Sequence, residues 1–482
     1  VPRFLLLFLA LIALFNLSRI VREPRPDADR PMDFRTCYVG QAVLRQGQNP
    51  YQDATLKAGW QRIVQDENLS SRTQPGLPNL PFLYPPWAAA LFGLTVGRVP
   101  YAAAWPLWYG LALLSLGAIA WLWPRALPNH QNMNVPWWQF LLAAVALKGT
   151  IPALLTGQPT FAALALGVGA LAVSRTSEKG WGHPLVAGML LGLAAFKVTL
   201  LLPFAAWFLW KKQWIVLAVA AAVVALLSAV AWNWAAFSHE LLPTYQQLVA
   251  QVRAQSFAPT DLDYPLTQGM TLRLELGNVL EWLWPGSSPW HLWLHGLLWL
   301  AAGLRLWWLR QRGPLADWHL FLVAGTLTLL TTYHLYYDAV LLLPLLAFGA
   351  QLARPQQWLL LGLLLPLLLP LNGIALAMGN PVMLHFVYFL MPLSLLGVLV
   401  LLLVGRTSAG PDPLSEKRGG QHMSLTGAPP GTVFSLRGII TRFYIHETLF
   451  SCATAAVARV CGPRPALHRP LVFRPASRPQ LR

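Results

Sequence analysis

The chain has 482 residues, of which 56% are hydrophobic and only 11% are Asp, Glu, Lys or Arg, and its formal net charge is +17. Globular proteins carry roughly a quarter charged residues, so this composition excludes a fold solvated on all sides; hydrocarbon must replace water over most of the surface. Nucleic-acid binding is a poor explanation of the positive charge, because the cations are not gathered on one folded module.

In chain order, the first apolar block runs from Phe4 to Val21. It is followed by Arg-Glu-Pro-Arg-Pro and not by a small-residue cleavage site, so it reads as a retained helix and not a signal peptide. Val1 leaves open an alternative start or a truncation. Further blocks follow at Tyr84–Val96, Tyr101–Trp123, Trp137–Leu155, Thr160–Val173, Pro184–Trp210, Trp214–Trp234, Trp290–Trp308, Trp318–Thr332, Tyr336–Leu352, Trp358–Ile374 and Val382–Val404. A bilayer core of about 30 Å needs roughly 20 helical residues. The pattern therefore predicts an all-α, polytopic transmembrane bundle of about 10–13 helices. Trp137, Trp210, Trp214 and Trp358 near block ends form the aromatic belt expected at membrane interfaces.

Short loops carrying Lys211–Lys212, Arg305/Arg310/Arg312 and Arg354 read as cytoplasmic by the positive-inside rule. Counting spans from them puts two long segments, 22–83 and 235–289, outside. It also puts Gly157-Gln158 inside, and Arg175 and Lys179 outside, against the rule. Residues 1–405 form the membrane domain. The remainder, 406–482, has 11 Lys or Arg against 3 Asp or Glu, is rich in Pro, Arg, Ser and Gly, and reads as a disordered tail. Cys37, Cys452 and Cys461 make no disulfide framework or metal-ligand spacing.

Candidate chemistry lies at the outer segments and at polar residues within apolar blocks. Asp33, about a dozen residues after the first span, is a carboxylate near the membrane surface; from position alone it reads first as a loop aspartate paired with Arg30 or Arg35, and it is also suited to general-base work. Gly47-Gln48-Asn49-Pro50-Tyr51 reads as a turn, and Tyr84-Pro85-Pro86 opens the second block, where proline is tolerated. Lys148, Lys197 and the Tyr333–Asp338 cluster place ionisable groups inside or between apolar blocks, where charge is costly and commonly lines a site. His334 and Asp338, four residues apart, share a face if that segment is helical. Arg273, in Thr267-Gln268-Gly269-Met270-Thr271-Leu272-Arg273, could grip a phosphate bidentately or simply snorkel to the interface. No carboxylate cluster asks for a metal, and no cofactor is expected.

The order of these motifs resembles glycosyltransferase family 87, whose members use polyprenol-phosphate sugars and share the multi-spanning GT-C fold. The resemblance rests on an Asp after the first span, Gly-Gln-Asn-Pro-Tyr, Tyr-Pro-Pro, Gly-Gln, a span with a central Lys, Gln-x-x-x-x-Arg and His-x-x-x-Asp. It implies an inverting transfer of a mannose-like hexose or a pentose from a polyprenyl-phosphate donor to a lipid or glycan hydroxyl, at the outer face of a bacterial inner membrane. By resemblance Asp33 is the base, Arg273 and Lys197 attend the donor phosphate, and Arg35, Tyr51, Tyr84, Gln158, Gln268, His334 and Asp338 line the substrate site. The sequence departs from the family pattern at Thr267-Gln268-Gly269, where Asn-Gln-Ser is frequent, and at Val198, where proline commonly follows the lysine. Polyprenyl phosphate is a good leaving group and needs no strong acid; cations stabilise its growing charge. Lys197 is awkward, because a straight helix buries it roughly 20 Å from the outer end of its block. A transporter or flippase of lipid-linked sugars is the rival reading. The absence of a sequence repeat and the outer placement of Asp33, Gln48, Gln268 and Arg273 favour the enzyme.

Overall fold

The computed structural model describes residues 3–22, 32–69, 81–126, 135–175, 182–235, 239–256 and 274–404, apart from 285, 314, 333, 372–373 and 375–380. The expected tail, Gln268 and Arg273 lie outside the described residues. Within residues 1–410, which cluster as one compact unit, the fold is all-α. The helices are α1 (Arg3–Arg22), α2 (Met32–Arg45), α3 (Asp53–Asp66), α4 (Pro86–Leu94), α5 (Tyr101–Ala126), α6 (Trp137–Ala146), α7 (Thr150–Thr156), α8 (Thr160–Arg175) and α9 (Gly182–Ala194). They continue as α10 (Val198–Trp210), α11 (Trp214–Trp234), α12 (Leu241–Ser256), α13 (Leu276–Leu283), α14 (Ser288–Gln311), α15 (Asp317–Thr331), α16 (Leu345–Gly349), α17 (Arg354–Leu368) and α18 (Pro381–Val404).

The lipid-facing character is direct. Leu11, Leu14, Leu114, Leu226, Leu292 and Leu297 are exposed on the long apolar helices, which water would not tolerate as a contiguous surface. Tyr101–Ala126, Trp214–Trp234 and Pro289–Gln311 are each long and apolar enough to cross a bilayer. The chain is an integral membrane protein.

Several predicted spans are broken, and the breaks build the site. α6 and α7 meet at a 77° bend over Leu147–Gly149. The carbonyls that the bend frees are not left bare. Asn16 Nδ2 donates to Val145 O at 3.1 Å and Ala146 O at 2.9 Å, and Thr150 Oγ1 donates to Ala144 O. In hydrocarbon such groups must be satisfied internally. Gly149 is needed there, since a Cβ would come within 2.5 Å of Tyr337 Cα.

Pro184–Trp210 was expected as a single span, and the stretch Gly182–Trp210 has the length of one. The packing shows that it reverses. A Cβ on Gly169 of α8 would touch Leu190 of α9, while one on Gly167 would meet the ring of Phe204 of α10. Leu190 and Phe204 would stand about 21 Å apart along a continuous helix, yet they reach neighbouring turns of α8. The chain therefore turns back through the 3₁₀ segment Ala195–Lys197, where Lys197 adopts φ −117°, ψ 76°. Trp87 Nε1 takes up the Ala195 carbonyl at 2.9 Å. Lys197 is thus the tip of a re-entrant pair, which removes the difficulty of its depth in a straight helix. α11 packs tightly on α9, because Gly188 and Gly192 admit Val219 and Val223 where any Cβ would clash at 2.6 Å.

α4 also fails to cross. Tyr84 before it lies near Asp33 and Cys37. Gly97 and Val99 after it accept hydrogen bonds from Arg45 and Tyr38 of α2. Both ends of α4 therefore lie at the α2 end of the bundle. Two supposed crossings vanish, at α4 and at α9–α10, and their effects on the span count cancel after Lys211. Between them the sides are exchanged. Gly157-Gln158, expected inside, packs beside Phe34 of α2: a Cβ on Gly157 would sit 2.6 Å from Phe34 Cβ. Arg175, expected outside, shares Asp317 with Lys211. Arg175 and Lys211 thus sit at the same end, and the violation of the positive-inside rule at Arg175 disappears.

The block Tyr336–Leu352 is likewise no regular span. It is a 3₁₀ segment, Tyr336–Leu342, followed by the five-residue α16. The described parts of 22–83 and 235–289 that carry α2, α3 and α12 cap one end. α2 and α3 pack through Arg35, whose guanidinium lies 5.4 Å from the Trp60 ring centre. α12 leans on the 49–51 turn through Asn49–Thr244 and Tyr51–Tyr245.

Candidate active site

Five breaks in helical structure converge beneath α2: the start of α2, the turn after α7, the tip between α9 and α10, the Tyr84 segment and the 3₁₀ segment after α15. Each delivers a polar side chain into otherwise apolar packing.

The centre is Asp338. Its Oδ1 lies 2.6 Å from Lys197 Nζ and accepts from Thr160 Oγ1 at 2.9 Å; its Oδ2 faces His334 Nδ1 at 2.8 Å. Lys197 Nζ also reaches Thr160 Oγ1 at 2.5 Å and stands 5.0 Å from the Tyr337 ring centre. Asp338 and His334 are buried, at 2% and 0% exposure. The pairing that four-residue spacing suggested for His334 and Asp338 does occur, but through a 3₁₀ turn and not an α-helix. His334 is anchored further by Leu274 N–H, which donates to its carbonyl at 2.9 Å. Its Nε2 is buried with no hydrogen-bond partner among the described residues.

Asp33, in the first turn of α2, is the second carboxylate. It is half-buried. Burial pushes its carboxyl above the usual carboxylate range; the nearby Thr156 and Gln158 side chains and the Lys197 charge pull it back, and Asp338 pushes it up again. Gln158 and Thr156 lie beside it, on either side of Gly157, which takes a left-handed conformation (φ 71°) and whose carbonyl is held by Trp108 Nε1 at 2.9 Å. Cys37, one turn along α2, is free and buried, and Asp33 and Tyr84 both act on its thiol.

Of the residues singled out in the sequence, Asp33, Tyr84, Gln158, Lys197, His334 and Asp338 gather here. Tyr51 does not enter the cluster; its hydroxyl donates to Tyr84 O at 2.9 Å and so holds the Tyr84 segment. Arg35 turns away toward Trp60 and Tyr101, in the packing between α2, α3 and α5. Gln268 and Arg273 lie outside the described residues. Sequence reasoning missed Thr156 and Thr160, and named Tyr337 only as a member of the Tyr333–Asp338 cluster. The signal for the first two was the polar run Thr156–Thr160 between two apolar blocks, which was read as a turn on the opposite side.

The two carboxylates are electrostatically unlike. Asp338 has both oxygens engaged, by a lysine, a threonine and a histidine. Asp33, partly buried, has the neutral Thr156 and Gln158 side chains as near neighbours among the described residues. Among the described residues, no group of three or more His, Cys, Asp or Glu side chains is arranged for an ion. What the arrangement offers is one available carboxylate beside a fixed charge network, at the end of a lipid-embedded bundle.

A multi-spanning helical membrane protein with a buried polar site under a helical cap is the class these features define. Residues 82–333, more than half of the chain, match Glycosyltransferase family 87, and the chain belongs to that family: it is a membrane glycosyltransferase. No curated protein and no solved structure gives a significant match. The matched stretch contains Tyr84, Gln158 and Lys197, while Asp33 and the His334–Asp338 pair fall outside it.

Proposed function

We propose that this glycosyltransferase moves a mannose-like hexose or a pentose from a polyprenyl-phosphate donor to a lipid or glycan hydroxyl, with inversion, and that Asp33 is its base. The observation that carries the proposal is the contrast between the two carboxylates. Asp338 is consumed by Lys197, Thr160 and His334, whereas Asp33 is partly buried and its near neighbours Thr156 and Gln158 are neutral. A carboxylate in that setting can take a hydroxyl proton while a sugar lies between it and the charge network.

In this mechanism the acceptor oxygen attacks the anomeric carbon as its proton passes to Asp33. The bond from that carbon to the phosphate oxygen breaks on the opposite side. The electron pair leaves with polyprenyl phosphate, so the anomeric centre inverts. Gln158 and Thr156 flank the Asp33 carboxyl and favour its ionised form. The Lys197 charge favours its ionised form and, through Asp338, fixes the His334 ring, whose Nε2 is left to contact substrate. Arg273 is assigned to the donor phosphate; it directly precedes Leu274, which is bonded to His334. The donor's lipid chain requires the bilayer, and we place the site at the outer face of a bacterial inner membrane, because the arginine- and lysine-bearing loops lie at the other end.

The test is sugar transfer in membranes expressing wild type or Asp33→Asn, with labelled polyprenyl-phosphate mannose and native lipid extract. Product from wild type, lost in the variant at equal protein level, is the expected result. Equal product from both removes Asp33 from the mechanism.

A further inference from the structure

Another knot of buried polar side chains lies where α13 meets α14. Glu281 near the end of α13, Ser287 before α14 and His291 in its first turn are all buried. The Glu281 carboxyl joins the two helices through both of its oxygens. Oε1 accepts the Gly286 backbone N–H at 2.7 Å, and Oε2 accepts the Ser287 hydroxyl at 3.1 Å. A hydroxyl has one proton to give. With that proton on Glu281, the 2.9 Å contact between Ser287 Oγ and His291 Nε2 is made by the ring N–H donating. Gly286, at φ 85°, makes the tight turn that brings its N–H back to Glu281.

α14 is itself tied to the bundle by polar contacts. Leu292, Trp293, Leu297, Leu300 and Leu304 are exposed on it, and apolar packing gains little there, because lipid is as apolar as leucine. Trp299 Nε1 donates to Thr331 Oγ1 of α15 at 3.0 Å, and Arg305 Nε donates to Leu403 O of α18 at 2.9 Å. The opposite end of α13 is seated on the polar cluster. Leu274, buried two residues before the helix, donates its N–H to the His334 carbonyl at 2.9 Å, and the His334 ring faces Asp338 Oδ2. α13 has eight residues, a length of about 12 Å. A helix this short, bonded at both ends, acts as a strut between α14 and His334.

We propose that Glu281 is a positioning residue for sugar transfer: by clamping α13 to α14 it holds Leu274 on the His334 carbonyl, and so fixes the ring that meets the substrate. The inference rests on the reading that His334 contacts substrate. A buried carboxylate is a costly way to close a helical hairpin, and apolar residues would close it at less cost. What the carboxylate adds is direction. Its two hydrogen bonds tolerate little change of distance or angle, whereas apolar faces can slide. Glu281 is therefore placed to act through His334, without touching substrate itself.

The experiment compares full-length variants in nanodiscs by two measurements: transfer from labelled polyprenyl-phosphate mannose, and the ring nitrogen signals of ¹⁵N-histidine-labelled protein, with His334 assigned by its loss in His334→Phe. Glu281→Ala should lower kcat/KM about tenfold, the order of one hydrogen bond to a charged group, and should shift the His334 signal. Glu281→Gln keeps an oxygen for the Gly286 N–H and should recover most of the rate. His334→Phe should lower kcat/KM by at least as much, and adding Glu281→Ala to it should cost nothing further. Losses that multiply independently, or a rate unmoved by Glu281→Ala, overturn the positioning role alone. A loss matched by a fall in folded protein, with the His334 signal unshifted, marks Glu281 as structural and overturns it too. Wild-type transfer by His334→Phe overturns the substrate contact of His334 and the inference with it. If wild type transfers no mannose, the donor reading falls, and the spectrum decides the inference: an unshifted His334 signal in Glu281→Ala overturns it, and a shifted one supports it.

Discussion

Lys197 Nζ lies 2.6 Å from Asp338 Oδ1 at the tip of a helix pair that enters the membrane region and turns back. The pair explains the turn as much as the turn positions the pair. A buried ion pair is tolerated when both partners are fully hydrogen-bonded, and removing one partner leaves an uncompensated charge. Lys197→Met should therefore lower stability by about 3–5 kcal/mol, read as loss of folded protein after solubilisation or a fall in thermal midpoint. Adding Asp338→Asn to that variant should restore much of the stability without restoring transfer. Equal stability of Lys197→Met and wild type would show that the pair holds nothing together.

Asp33→Asn behaves differently if Asp33 is a base and not a structural anion. Burial is the largest influence on its carboxyl and opposes ionisation. Replacing it with a neutral isostere removes a desolvation cost, so the thermal midpoint should stay level or rise. Transfer should fall roughly a hundred- to ten-thousand-fold, the range for a lost general base. A matched loss of stability and activity would instead mark Asp33 as part of the scaffold.

The pH dependence has a definite sign. The Asp33 pKa is raised above 3.8 in the folded protein, and the base must be ionised to accept a proton. Transfer should decline on acidification through a pKa above the ordinary carboxylate value, while a carboxylate with a raised pKa gains folding stability over the same descent. The groups that set this value are Thr156, Gln158, Lys197 and Asp338. Gln158→Leu removes a neighbour that favours the ionised form, so it should move the acidic limb of the rate profile to higher pH. A limb unmoved by this change would assign it to another group.

Gly157→Ala tests the turn that delivers Gln158. The left-handed backbone disfavours any side chain, and the new Cβ would press on Phe34. A cost of about 1–3 kcal/mol is expected from the backbone conformation alone. Transfer should fall with it, because the Gln158 side chain moves off Asp33. Wild-type transfer by Gly157→Ala would separate Gln158 from the site.

Much of this was legible from residue order, and the part that was not has a common cause. Lys197, His334 and Asp338 were visible as ionisable residues inside or between apolar blocks, Gln158 as an interruption of two blocks, and Asp33 and Tyr84 only through the order of motifs around the first two blocks, while hydropathy marked out the helical blocks themselves. Hydropathy averages over a window, however, and cannot distinguish a crossing from a return. Nothing in Gly192–Val198 marks a reversal, since proline is absent there and Lys197 is itself a good helix former. The turn is set by partners far along the chain, Thr160, Asp338 and Trp87, so no local signal could report it. Thr160 and Thr156 were overlooked for the same reason: the miscounted spans placed them at the wrong end.

That miscount makes the topology testable by thiol labelling. In the structure Arg175 and Lys211 both contact Asp317, and Arg310 stacks over Trp210 at the same end. Gln46, after α2, is exposed at the other end. If α9–α10 were a simple crossing, positions 175 and 211 would label from opposite sides. In a background with the native cysteines replaced, single cysteines at His183 and Lys212 should react with a membrane-impermeant maleimide from one side, and a cysteine at Gln46 from the other. His183 begins α9 and Lys212 follows α10, so the two sites bracket the re-entrant pair. Labelling of His183→Cys together with Gln46→Cys, and not with Lys212→Cys, would mean that the chain passes through at Lys197, and the convergence of α9 and α10 on Asp338 would have to be abandoned.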